Sequence, residues 1–131
     1  MVHPRPVKTL LQAGFVSVDE IDETLIVGFA DRQFDTSQYF MLQRSLDSDD
    51  DDGVYLEHTD QAYGSYAKVS SCILYREHIE LTVDRRAAKT LETDTNFAVG
   101  FKCDEAMRHR FEAGLQRIFV GTACRLQILS P

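Results

Sequence analysis

A run of aspartates is the feature of this sequence whose residue types and spacing come nearest to chemistry, because clustered carboxylates suit Ca²⁺. Five aspartates fall between positions 47 and 52. With Asp47 as the first ligand of an EF-hand, Asp52 replaces the required glycine and His58 replaces the bidentate glutamate. If Ser48 is taken as the first position instead, Gly53 falls at the sixth position as the motif requires, but Thr59 stands at the twelfth position where glutamate is needed. Both frames fail, and mutual repulsion of the carboxylates favours a solvated loop.

The histidines and cysteines are too widely spaced to predict a local metal or redox site. The four histidines and three cysteines include no pair at zinc-ligand spacing and no CxxC. The sequence also lacks a glycine-rich phosphate loop, a nucleophile elbow and HExxH. We therefore predict no cofactor, no metal and no catalytic residues. Catalytic groups assembled from distant positions stay open, because they need only meet in space.

The charge is one-sided along the chain. The formal net charge is −7, which argues against nucleic acid and anionic membranes as partners. Residues 19–60 hold 13 acidic and two basic residues and alone carry −11. Two interpretations remain: a wet face that keeps the protein soluble, or an acidic surface that meets a basic protein. Tyrosines interleave with this acid, and residues 60–66 lack apolar alternation, which predicts an exposed turn.

A periodicity of two dominates the chain and predicts mostly strands. Residues 79–83 alternate cleanly, which predicts one buried and one solvated face. In the segment 39–46, Phe40, Leu42 and Leu46 fall on one side. The predicted strands cover residues 14–19, 24–30, 39–46, 54–59, 66–75, 79–83, 97–101 and 124–129.

Two helices are predicted in the second half. Asp84 is a good N-cap for a short helix over residues 85–91. A longer helix follows Asp104, and Gly121 stands where its C-cap glycine belongs. Its apolar residues form a single stripe: Met107, Phe111, Leu115, Ile118 and Phe119. We expect an α+β fold, a mostly antiparallel twisted sheet with this main helix on one face and a short second helix.

Length and composition predict a single domain over residues 1–131. Its 44% hydrophobic residues are enough for a core, and prolines occur only at positions 4, 6 and 131. Residues 1–8 are expected to be a loose lead-in without a signal-peptide core. The longest apolar stretch, residues 25–30, is far too short to span a membrane, so we expect a cytoplasmic protein.

Three stretches, in this order, resemble the immunity protein 10 family of bacterial polymorphic toxin systems. The first is the segment 39–46 with its Gln43-Arg44 pair, followed by the acidic insertion and residues 54–57. The second covers residues 63–91, and the third covers residues 97–119 and closes with Leu115-Gln116-Arg117-Ile118-Phe119. Together they span roughly residues 39–120.

The resemblance implies a non-enzymatic protein that binds and neutralises a cognate toxin encoded nearby, for instance a nuclease. In that case carboxylates would pair with toxin Lys and Arg, and tyrosines would fill the interface. The predicted contact residues are Asp49, Asp50, Asp51, Glu57, Asp60, Tyr63 and Tyr66. Arg44 is expected to pair internally with a nearby carboxylate. An enzyme or small-ligand domain with a pocket between sheet and helix is the alternative, and an exposed sheet edge leaves a homodimer open.

Overall fold

A computed structural model describes residues 7–46 and 54–129 of the chain. Within these ranges ten strands and two helices follow one another. Their bounds are β1 Lys8–Gln12, β2 Phe15–Ile21, β3 Thr24–Ala30, β4 Tyr39–Ser45, β5 Val54–His58, β6 Asp60–Ala67, β7 Val69–Leu74, β8 His78–Val83, α1 Arg85–Leu91, β9 Asn96–Gly100, α2 Glu105–Phe119 and β10 Arg125–Ile128.

The strands form two five-stranded sheets. The first, which we call the meander sheet, runs β2-β3-β4-β5-β6 and is antiparallel throughout. The second, the mixed sheet, runs β1-β9-β8-β7-β10, with β1 parallel to β9 and β10 parallel to β7. The α+β class, the main helix near the C-terminal end and the short second helix are confirmed. The strands are divided between two sheets, and β1 and β10 form the two edges of the mixed sheet.

The first hairpin shows how local sequence sets the meander. Asp22 and Glu23 both have positive φ, 49° and 59°, and connect β2 directly to β3. Such a two-residue turn matches the right-handed twist of the strands it joins. The turn between β2 and β3 is therefore confined to these two acidic residues.

Helix α2 packs on the inner face of the meander sheet. Asp104 caps it by accepting from the Met107 backbone N–H at 2.8 Å, as predicted. Phe111 lies edge-on to Phe29 of β3, with ring centroids 5.3 Å apart. Gly121 follows the helix with a φ of +74°, which suits glycine at this position. The buried part of the predicted stripe is confirmed as Phe111, Leu115, Ile118 and Phe119.

Three predicted details differ. Residues 60–66 form most of edge strand β6 instead of a turn, because their backbone pairs with β5 even though their side chains do not alternate. The predicted strand 66–75 is broken at Lys68, where β6 leaves the meander sheet and β7 joins the other sheet. Leu46 lies beyond the end of β4 and is 38% exposed, so the predicted apolar side of this segment ends at Leu42.

Candidate partner-binding surface

The outer face of the meander sheet points away from α2 and brings aromatic and acidic side chains together. Tyr55 is registered with Tyr66 of the edge strand, and Glu57 is registered with Met41 of β4. Alternation along the strands places these side chains on one face. We call the following four residues the tyrosine–glutamate cluster: Tyr39, Tyr55, Glu57 and Tyr66.

Glu57 is the centre of this cluster. It is only 6% exposed and is the one charged side chain buried within the described ranges. One carboxylate oxygen accepts the Tyr55 hydroxyl at 2.7 Å, and the other accepts the Tyr39 hydroxyl. A buried charge is tolerated when it is hydrogen-bonded in this way. Glu57, predicted as a contact carboxylate, therefore orients two tyrosines instead of presenting its charge at the surface of the free protein.

The hydroxyl protons of the cluster are held tightly. The hydrogen bond to Glu57, with burial second, raises the pKa of Tyr55 to about 12. Burial first, and then the hydrogen bond to Glu57, raises the pKa of Tyr39. Both hydroxyls thus act as donors at neutral pH. Each oxygen of the Glu57 carboxylate accepts one of these hydroxyls, so the arrangement is suited to holding a shape.

Close backbone approach lets the Tyr55 ring lie against β6. A Cβ added at Gly64 would sit 2.0 Å from the Tyr55 hydroxyl oxygen. Beside it, Tyr66 meets Tyr55 edge-on, with ring centroids 5.4 Å apart at 72°. Tyr66 is 59% exposed, so one ring of the pair faces solvent. This is a supported aromatic surface of the kind found at interface cores.

The start of β6 carries two more predicted contact residues. His58 pairs with Asp60 and Glu57 with Gly64, so residues 61–63 bulge from the sheet. One Asp60 oxygen accepts the Ala62 backbone N–H at 2.9 Å and shapes this bulge. Asp60 and Tyr63 are both exposed. The structure therefore gathers Asp60, Tyr63 and Tyr66 along one edge strand.

The predicted contacts Asp49, Asp50 and Asp51 lie outside the described residues. Along the chain, their segment joins β4 to β5.

The described hydrogen-bond partners of Arg44 are backbone carbonyls. Its guanidinium donates to the Ile118 carbonyl at 2.9 Å, to the Arg117 carbonyl at 3.3 Å, and to the Val120 carbonyl. Among the described residues these partners are carbonyls at the end of α2 instead of a carboxylate. A cation there satisfies unpaired helix carbonyls and complements the helix dipole.

Sequence reasoning missed Phe34. This side chain is 75% exposed in the connection between β3 and β4. The available signal was a lone aromatic residue within residues 31–38, whose other members are all polar.

The cavities found among the described residues do not match an enclosed site between sheet and helix. One of them, of about 490 Å³, is an open hollow beside α1 lined by residues that include Lys8, Lys89 and Asn96. Between α2 and the meander sheet, the buried side chains of Phe29 and Phe111 are in contact.

Neither a metal site nor a membrane span is found in the described ranges. Within residues 7–46 and 54–129, no group of three or more His, Cys, Asp or Glu side chains is arranged to hold a metal. Neither described helix has the length and apolar character needed to cross a membrane.

Fold and surface together define an α+β protein that carries tyrosines on the outer face of its meander sheet. The family model for Immunity protein 10 matches residues 11–109. The chain belongs to the immunity protein 10 family, as its sequence led us to expect. The match runs from β1 into α2, and so includes the first three strands. No curated protein and no solved structure matches this chain.

Proposed function

We propose that this chain binds a cognate bacterial toxin and neutralises it stoichiometrically, without catalysis. Membership of the immunity protein 10 family is the observation that carries the proposal. The toxin is encoded beside the immunity protein and the complex forms in the cytoplasm, where the producing cell needs protection.

The charge distribution supports a basic partner. Residues 19–60 carry −11 in a chain of net −7, and this segment includes most of the meander sheet. A field of one sign speeds encounter with a partner of opposite sign and disfavours wrong partners. Nuclease toxins fit this description, because a site that binds phosphate is itself positively charged.

Individual residues have separate roles in the proposed interface. Asp60, with Asp49, Asp50 and Asp51, pairs with toxin Lys or Arg. The exposed rings of Tyr63 and Tyr66 contribute the contact area. Glu57 acts through Tyr39 and Tyr55, whose hydroxyls it holds.

An enzyme or small-ligand protein is the alternative function. That alternative calls for a pocket with convergent polar groups between sheet and helix. The apolar contact between Phe29 and Phe111 in that region favours the immunity function instead.

Co-expression tests the proposal. The product of the adjacent gene is expressed in a sensitive host with this chain, with no partner, or with a truncated chain lacking β6 and everything after it. We expect growth and a co-purifying one-to-one complex only with the full chain. Continued toxicity together with no complex at low ionic strength would overturn the proposed function.

A further inference from the structure

We propose that the apolar groove on the outer face of the meander sheet, together with the adjoining loop that carries Phe34, is the surface on which a basic protein partner docks. The inference rests on the proposed function and names the partner as the cognate toxin. The predicted contact residues Asp60, Tyr63 and Tyr66 lie on β6. The inference adds a second part of the interface, on β2, β3 and β4.

The groove is a depression in the sheet face. Its volume is about 290 Å³. Gly28 lies at its floor, registered between Ser17 and Met41, so small side chains leave room at the centre. Apolar and aromatic side chains make up most of the walls: Phe15, Ile26, Ala30, Tyr39 and Met41. An apolar depression on a sheet face that points away from the core is available to receive another protein's side chain.

Phe34 is presented next to this groove by an organised loop. Gln33 and Thr36 on either side of it line the groove. Asp31 holds the loop by accepting from the Ser37 hydroxyl at 2.6 Å and from the Arg32 backbone N–H at 3.0 Å. These bonds order the loop while leaving Phe34 75% exposed. An aromatic ring held outward before binding is a favourable anchor, because little freedom is lost when it inserts into a partner.

The rim of the groove specifies the partner's charge. Asp19 is registered with Ile26 on the groove wall, and Asp31 and Asp35 flank Phe34. Arg32, the single base among residues 31–38, lies 3.7 Å from Asp31 and offsets the charge of that carboxylate, so Asp19 and Asp35 carry the net negative charge of the rim. Two copies of this chain meeting through the same face would bring acidic rims together, whereas a basic partner is complementary.

The groove is continuous with the tyrosine–glutamate cluster. Tyr39 lines the groove and donates its hydroxyl to Glu57. Its backbone carbonyl also accepts the Thr59 backbone N–H at 2.9 Å, next to Asp60. Phe34, the groove and the exposed residues of β6 therefore form one surface.

Affinity measurements on the full-length chain and the purified toxin domain test this surface. Phe34→Ala removes the anchor, and Ile26→Lys places a charge in the groove wall. Val120→Ala is the matched control, since Val120 is 65% exposed at the opposite, helical side. We expect Phe34→Ala and Ile26→Lys each to raise Kd about tenfold or more, mainly through faster dissociation, and Val120→Ala to change Kd less than about twofold.

The outcomes separate the two proposals. If the wild-type chain binds the toxin and Phe34→Ala matches Val120→Ala, the docking surface is wrong while the proposed function stands. If the wild-type chain does not bind, the proposed function fails and takes this inference with it. If sedimentation shows that Phe34→Ala abolishes a dimer of the chain alone and leaves toxin affinity unchanged, the face is a self-association surface and the inference is overturned.

Discussion

At the residue scale, the tyrosine–glutamate cluster shows a charged side chain used to fix the shape of a surface. Glu57 is 6% exposed, and each of its carboxylate oxygens accepts a hydrogen bond from a tyrosine hydroxyl. The two tyrosines, Tyr39 and Tyr55, lie on the outer face of the sheet. The rings are consequently ordered before any partner arrives. Pre-ordering reduces the entropy lost on binding, which suits a protein that must bind its partner tightly.

The Glu57→Gln variant tests whether the carboxylate holds the tyrosine protons. In the folded wild-type protein the pKa of Tyr55 rises from the ordinary 10.0 to about 12, first through the hydrogen bond to Glu57. This bond stabilises the fold fully below the unfolded pKa, and the stabilisation is lost as pH rises through the folded pKa. In Glu57→Gln we expect tyrosinate absorbance to appear at lower pH, and stability at neutral pH to fall by about 1 kcal/mol. Superimposable alkaline titrations of the two proteins would contradict this role.

The Gly64→Ala variant tests the close approach of Tyr55 to β6. An added Cβ would lie 2.0 Å from the Tyr55 hydroxyl oxygen, so one of the two must shift, and we expect the hydrogen bond from Tyr55 to Glu57 to break. We expect a loss of about 1–2 kcal/mol in the free energy of unfolding by urea. Gly28→Ala on the same sheet face is the control, since its nearest atom is the Ser17 hydroxyl oxygen at 3.0 Å. Equal losses in both variants would show that the effect is general to glycine in these strands.

At the element scale, α2 is held to the meander sheet at its end by Arg44 of β4. The guanidinium reaches carbonyls of Ile118 and Val120, which the helix itself leaves unpaired. This contact ties the only long described helix to the middle strand of the sheet that carries the proposed binding face.

Arg44→Ala should therefore destabilise the fold more than loss of a surface ion pair does. We expect about 1–2 kcal/mol, because the helix-end carbonyls lose a charged donor. Arg117→Ala is the control, since Arg117 pairs with Glu20 at 2.7 Å with both side chains 52% exposed, and such pairs contribute about 0–1 kcal/mol. Thermal and urea unfolding measure both variants. A smaller effect at Arg44 than at Arg117 would contradict the capping role.

The elements themselves were largely predictable, because periodicity and caps are local. Asp84 and Asp104 located both helix starts, and the strands of the meander sheet follow apolar runs and alternations. The partners of β1 and β10 were not predictable, since the parallel pairings of β1 with β9 and of β10 with β7 join segments distant in sequence. The edge strand β6 was not predicted as a strand, because its backbone pairing with β5 does not require its side chains to alternate between apolar and polar.

The candidate surface was only partly predictable. Asp60, Tyr63 and Tyr66 were found from acidic and aromatic composition, and the structure places them on one strand. The burial of Glu57 was not foreseen, because it depends on Tyr39 reaching across from β4. Phe34 was missed because one aromatic residue in a polar loop belongs to no periodic pattern, and its isolation among polar residues was the one signal present.

At the scale of the whole molecule, charge segregation is the property that the proposed function uses. The segment 19–60 is strongly acidic, and the remainder of the chain is net basic. Repulsion within the acidic segment opposes folding, so such segregation is easier to understand if a partner of opposite charge exists.

Reversing the four aspartates at positions 49–52 to lysine tests the role of charge in association. We expect the association rate constant with the toxin to fall about tenfold or more at low salt, with folding unchanged. The difference should shrink at high salt, where charges are screened. Stopped-flow fluorescence measures the rates, and circular dichroism checks the fold. Identical rates for both proteins at low salt would show that the aspartates only solubilise the chain.

The most direct test of the central claim is a titration of toxin activity with this purified chain. A non-catalytic inhibitor must be present in amounts equal to its target. We predict that residual toxin activity falls in proportion to added protein and reaches its minimum at one chain per toxin. Activity should return when the complex is separated under denaturing conditions and the toxin alone is refolded. Complete and lasting inactivation by far less than one equivalent, or full activity at an excess, would contradict the account.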